Sequence, residues 1–208
     1  MIKKIIVLLL IGLFIITGCK KDDEIGSDIE INDLGNVYVE ELGKLESDGI
    51  VSYNFRINNT EVEEVNIDFI IEFKKDNKVI NTKTISKNIK ENDSEYISIF
   101  FKNDEIKFDS YEYDIKARNN VIKNYDILEN IDISYLNNGN STTIIVDNKN
   151  KKIIDLDLIV LFFKSNKLVE SSQINVTKIK ENNIKNVTIK NSSKDFDQII
   201  ISVNNVKK

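Results

Sequence analysis

Histidine, tryptophan and proline are absent from this chain, and cysteine and methionine each occur once. Without histidine there can be no Ser-His-Asp triad, no imidazole general base and no imidazole metal ligand. A lone cysteine has no partner for an internal disulfide, and zinc sites of the usual Cys/His composition are ruled out with it. Past residue 18 the glycines stand singly, at Gly26, Gly35, Gly43, Gly49 and Gly139, so no glycine-rich loop is available to cradle a phosphate. Arginine does not cluster, and the chain carries a formal charge of −5, which makes it a poor nucleic-acid binder. The abundance of Ile, Asn and Lys follows A/T-rich codons, so Asn clusters and triplets such as Asn175-Val176-Thr177 carry no functional message.

What is present begins with an address. Met1-Ile2-Lys3-Lys4 is followed by an apolar run from Ile5 to Ile16 and then by Thr17-Gly18-Cys19. That order is the positive, apolar and small-residue sequence of a secretory signal. As a helix the run would rise roughly 18 Å, short of the ~30 Å hydrocarbon core, so it makes a poor permanent span. Ile16-Thr17-Gly18-Cys19 resembles the lipobox of bacterial lipoproteins. The resemblance implies recognition of Ile16, Thr17 and Gly18 by the signal peptidase, cleavage before Cys19, and a diacylglyceryl thioether on its sulfur. An ordinary signal peptide with a chance cysteine, or an uncleaved anchor, are the alternatives. Lipidation would place the protein on the outer face of the cell membrane, with Cys19 consumed and no thiol left for catalysis. Two acyl chains anchor stably where one does so only marginally. Removing Lys3 and Lys4 with the signal leaves 27 basic against 34 acidic side chains, about −7.

Residues 19–35 read as a lipidated cysteine and a flexible acidic tether. Beyond them the pattern alternates with period two, the mark of half-buried strands. Val65, Ile67, Phe69, Ile71 and Phe73 share one face of a strand, with Asn66, Asp68 and Glu72 on the other. No sustained helical period follows the signal, so the fold class expected is all-β.

The chain also repeats itself at an offset near 89 residues. Ser52–Asn59 aligns with Ser141–Asn148, Ile67–Phe73 with Leu156–Phe162, and Asn77–Ile80 with Asn166–Val169. Ile89–Asn92 aligns with Ile179–Asn182, and Phe108-Asp109 with Phe196-Asp197. Order and spacing persist through the unit, as tandem duplication requires, against the alternative of chance likeness in a biased composition. Asp48-Gly49 and Asn138-Gly139 read as two-residue hairpin turns, and Asp76-Asn77 and Ser165-Asn166 as further tight turns. Roughly 80 residues with about seven strands per unit suits an immunoglobulin- or fibronectin-like sandwich. The expected organisation is a signal helix at 1–18, the tether at 19–35, a sandwich at 36–118, a linker at 119–124 and a second sandwich at 125–208. A single barrel spanning both repeats is the alternative.

The short motifs of each unit resemble the FxLYD-type domain. In the first copy they are Asn58-Asn59-Thr60, Phe73 to Ile80, Ile89 to Ser94 and Phe108 to Tyr113. The second copy carries them at Asp147-Asn148, Phe162 to Val169, Ile179 to Asn182 and Phe196-Asp197. The resemblance implies small extracytoplasmic β-sandwiches, common in lipoproteins of Gram-positive bacteria and without a general catalytic role. Two positions depart from the pattern: Asp76-Asn77 replaces the usual Asp-Gly turn, and Glu91-Asn92 the usual Pro-Gly.

Carboxylates are the remaining chemistry. Asp22-Asp23-Glu24 and Glu61, Glu63, Glu64 read as solvated charge in tether and loop, while Asp155 and Asp157 share one strand face that could hold a cation only weakly. No enzyme, cofactor or metal site is expected. One segment departs from half-polar alternation: Ile159, Leu161 and Phe163 place apolar side chains opposite Leu158, Val160 and Phe162. These three are the candidate protein interface, unless another part of the chain covers them. The expected function is a non-catalytic, lipid-anchored module that binds an envelope or extracellular protein or plays a structural role. A solute- or glycan-binding lipoprotein is the alternative, which a deep pocket between the two units would favour.

Overall fold

The computed structural model describes residues 35–118, 125–191 and 195–207. The signal, Cys19 and nearly all of the tether lie outside the described residues, as does the linker at 119–124. Twelve strands are described: β1 (Val37–Ser47), β2 (Ile50–Asn59), β3 (Val65–Lys75), β4 (Lys78–Ile89), β5 (Asp93–Lys102) and β6 (Ser110–Ala117) in the first half. The second half holds β7 (Ile131–Asn137), β8 (Ser141–Asn148), β9 (Ile154–Lys164), β10 (Lys167–Ile179), β11 (Asn183–Lys190) and β12 (Gln198–Lys207). Each half has six described strands where about seven were expected. The reason is length: β9 has 11 residues and β10 has 13, so fewer and longer strands carry the pattern.

All pairings are antiparallel and give four three-stranded sheets. In the first half the orders are β1-β2-β5 and β4-β3-β6; in the second they are β7-β8-β11 and β10-β9-β12. The second six strands therefore repeat the first six in both order and partners. Each pair of sheets shares one hydrophobic cluster. Val51, Tyr53, Phe55 and Ile57 of β2 meet Ile67, Phe69, Ile71 and Phe73 of β3 in the first. Ile144 and Val146 of β8 meet Leu156, Leu158, Val160 and Phe162 of β9 in the second. Those are the alternate residues of each strand, as the period-two geometry requires.

Local backbone chemistry repeats with the strands. Asn59 is buried and its Nδ2 donates to the carbonyls of Glu63, Ile89 and Lys90 at 2.8, 3.2 and 2.9 Å. Asn148 is buried and donates to Lys152, Ile179 and Lys180 at 2.9, 3.1 and 3.0 Å. Asp109 Oδ2 accepts the Asp76 N–H at 3.0 Å, and Asp197 Oδ2 the Ser165 N–H at 2.9 Å. Phe108 packs on Phe73 with ring centroids 4.5 Å apart, and Phe196 on Phe162 at 4.8 Å.

Asp48-Gly49, Asp76-Asn77 and Ser165-Asn166 all take positive φ and close two-residue hairpins. At Asn92 and Asn182, φ is 51° and 48°, so asparagine fills a left-handed position that glycine would occupy more easily. Asn138-Gly139 departs from expectation. Asn137 pairs with Thr142 and the Asn138 N–H donates to the Ser141 carbonyl at 3.1 Å, so the turn falls one residue later, at Gly139-Asn140, and Asn138 Oδ1 also accepts from the Asn140 and Ser141 N–H groups and the Ser141 hydroxyl. The asparagine side chain thus adds to the backbone closure of the turn.

Candidate functional site

β9 is buried on both faces. Leu158, Val160 and Phe162 belong to the second core, whereas Ile159 and Leu161 have no exposure and Phe163 only 5%. What covers the second set follows from register. Ser171 of β10 lies opposite Leu161, and Ser202 of β12 lies opposite Ile159, so both serines share the face of the apolar residues. Ser171 Oγ is 2.6 Å from Ser52 Oγ of β2, and Ser202 Oγ donates to Glu95 Oε2 of β5 at 3.1 Å. Tyr96 of β5 meets the Phe163 ring edge-on, with centroids 6.4 Å apart. The sheet β10-β9-β12 therefore lies against the outward face of β1-β2-β5 within one chain. Ile159, Leu161 and Phe163 are covered by the first half and do not form an exposed surface.

The facing surface is polar, which alternation alone would have assigned to solvent. Ser52, Asn54, Asn58 and Ser98 are all buried there. Asn54 resolves the cost of that burial by bonding on both sides of its amide. Its Oδ1 accepts from Ser98 Oγ at 2.7 Å, and its Nδ2 donates to Ser52 Oγ at 2.9 Å and to the Gly43 carbonyl at 3.1 Å. Ser98, Asn54, Ser52 and Ser171 thus form one hydrogen-bonded chain across the seam. Buried polar groups are tolerated when their partners are this complete. No sequence signal marks these residues, since serine and asparagine on an alternating strand look solvated.

A second tie lies at the other side of the seam. Lys87 of β4 is 5% exposed, and its ammonium donates to Glu95 Oε2 at 3.1 Å, Ser202 Oγ at 3.3 Å and the Val203 carbonyl at 2.8 Å. One side chain so joins three of the four sheets. Beside it opens a cleft of about 810 Å³ between the halves, with walls that include Thr84, Tyr96, Arg118, Ile133 and Asn204.

Five further titratable groups are tied into the fold. Burial raises the Tyr53 and Tyr113 phenols, and burial together with donation to Glu41 raises Tyr111 well above the usual range. Burial lowers Lys83, whose ammonium sits 4.4 Å from the Phe101 ring centroid. Hydrogen bonding, first from the Asp76 N–H, holds Asp109 below the ordinary carboxylate value.

Four of the acidic candidates have partners of their own. Asp155 accepts the Lys178 N–H at 2.6 Å, while Asp157 pairs with Lys207 at 3.2 Å. Glu61 accepts from the Asn36 amide at 2.9 Å, and Glu64 from Asn88 at 2.6 Å. Among the described residues no three His, Cys, Asp or Glu side chains gather as a metal site, and no helix is long and apolar enough to cross a membrane. Ile16, Thr17, Gly18 and Cys19 lie outside the described residues, as do Asp22, Asp23 and Glu24.

No protein-family profile matches the chain. No curated protein matches it either. Among solved structures, red sea bream transglutaminase is 9% identical with a TM-score of 0.28, over 79% of this chain and 31% of that one. A chaperone-tip adhesin complex of CFA/I fimbriae is 13% identical with a TM-score of 0.23, over 83% and 97%. Native alpha-2-macroglobulin from Escherichia coli, spanning domains NIE-MG1, is 9% identical with a TM-score of 0.19, over 69% and 80%. This chain spans about a third of the transglutaminase. Superpositions this loose carry no activity or partner across to this chain.

Proposed function

We propose that this chain is a non-catalytic lipoprotein, anchored outside the cytoplasm through lipid on Cys19, whose two immunoglobulin-like sandwiches at 36–118 and 125–208 act as a binding or structural module of the cell envelope. The observation that carries the reading is the pair of hydrogen-bonded networks that tie the two halves together at the seam. The Ser98-Asn54-Ser52-Ser171 chain and the Lys87-Glu95-Ser202 tie spend their hydrogen bonds on holding one half against the other. Rigid presentation of a surface at the end of a tether is what such a construction serves, and the repeat motifs of the FxLYD type agree with it. Protease treatment of intact cells tests this. Degradation of the chain with cytoplasmic markers spared is the expected result, and full protection would overturn it.

A second reading, solute or glycan binding, is favoured by the cleft of about 810 Å³ between the halves, a volume in the range of ligand sites. Thr84→Trp, on an exposed wall position, would fill it. Saturation binding of soluble neutral oligosaccharides that this substitution abolishes would place the second reading first.

A further inference from the structure

The seam joins unlike surfaces of like halves. The outward face of β1-β2-β5 in the first half meets the outward face of β10-β9-β12 in the second. By the repeat, the counterpart of β10-β9-β12 is β4-β3-β6, and the counterpart of β1-β2-β5 is β7-β8-β11. Both counterparts lie at the free ends of the pair. A head-to-tail contact of this kind does not close on itself, so a second copy could add its β4-β3-β6 face to the β7-β8-β11 face of the first, and a third to the second.

Registers show what has changed on the free face. At the seam, Ser171, Leu161 and Ile200 form one cross-strand row, and Gln173, Ile159 and Ser202 the next. The matching rows of the first half are Thr82, Glu72 and Glu112, then Thr84, Ile70 and Asp114. Leu161 and Ile200 are thus replaced by Glu72 and Glu112, two carboxylates placed directly opposite one another. Phe163 is replaced by Lys74, which pairs with Glu112 at 2.5 Å. Like charges opposite each other weaken a sheet. Burying them against a second copy would add the desolvation of charged groups to that penalty.

We propose that the outward face of β4-β3-β6 is a charged cap, with Glu72 and Glu112 at its centre, that stops copies of this chain from joining head to tail through the seam geometry. Solenoid proteins protect their terminal repeats with a polar outer face for the same reason. Carboxylates on the rows that are apolar at the seam are the mark of a surface shaped to refuse a partner.

The test is sedimentation velocity of the lipid-free chain from residue 20 onward, over a hundredfold concentration range. The wild type should remain a monomer. Glu72→Leu with Glu112→Ile, which transfers the seam residues onto the free face, should give mass-action oligomers. Adding Ile145→Lys on the β7-β8-β11 face should return them to monomer. Glu72→Gln provides a control independent of association: it relieves the like-charge pair and keeps the Lys74–Glu112 ion pair, so it should raise the melting temperature and stay monomeric. A double variant that stays monomeric with unchanged circular dichroism would overturn the proposal. So would oligomers indifferent to Ile145→Lys, a wild type that already associates, or a Glu72→Gln protein less stable than wild type.

Discussion

Ser52 Oγ and Ser171 Oγ lie 2.6 Å apart although 119 residues separate them in the chain. The contact joins β2 of the first half to β10 of the second, beside the side chain of Leu161. It marks a seam whose two surfaces differ in kind, serine and asparagine on one side and isoleucine, leucine and phenylalanine on the other. Because Ser98 and Asn54 complete the hydrogen bonding behind Ser52, the polar surface can be covered by apolar groups without orphaned donors at those positions.

Leu161→Lys should separate the halves. Its side chain has no exposure, and an ammonium there would have no carboxylate in its own cross-strand row, so the loss should be about 3 kcal/mol or more. Guanidinium unfolding of the full chain should show the loss. The fragment 125–208 alone should tolerate the substitution, since it leaves that face open to water. Equal destabilisation of fragment and full chain would assign Leu161 to the second core instead.

Asn148→Ala should destabilise the second half by about 3 kcal/mol, and Asn59→Ala the first by a similar amount. Each removes an amide that serves three carbonyls from a buried position. Denaturation followed by circular dichroism measures both. If only one of the two matters, the repeated hydrogen bonds are unequal in energy despite their matched geometry.

Alkaline unfolding should accompany tyrosine ionisation. The phenols of Tyr53, Tyr111 and Tyr113 are raised in the folded chain above their ordinary value of 10.0, first by burial. A raised phenol contributes stability that is fully present below pH 10 and lost as pH climbs beyond it, where the unfolded chain ionises first. Phenolate absorbance and loss of β-type circular dichroism should therefore rise together above pH 10. Phenylalanine at Tyr111 should move that transition to higher pH; an unchanged midpoint would show that other groups control it.

Cys19→Ser should release the protein from membranes or leave the precursor uncleaved. A fatty-acid analogue should label the wild type and leave the variant unlabelled. Label on the serine variant, retained through a high-salt wash, would refute lipidation at this residue.

Alternation in β3 and β9, the turn at Asp48-Gly49 and the 89-residue repeat were all legible in the linear sequence. Each is a local property, because strand periodicity and positive φ depend on neighbours a few residues away. Other features were not local. Asn138-Gly139 looked like the tight turn, and only the strand pairing shows that the turn falls one residue later, with the Asn138 side chain bracing it. The outward residues Asn54 and Ser98 carry no sign of burial, whereas the doubly apolar run at Leu158–Phe163 announced that something would cover it.

By itself the sequence determined the all-β character and the two-fold repeat, and it excluded the chemistry that needs histidine or a second cysteine. Tertiary structure decided which outward faces meet. Burial of Ile159, Leu161 and Phe163 depends on a surface from the first half of the chain. The choice of that surface is set by the relative docking of two folded halves, which strand periodicity does not encode.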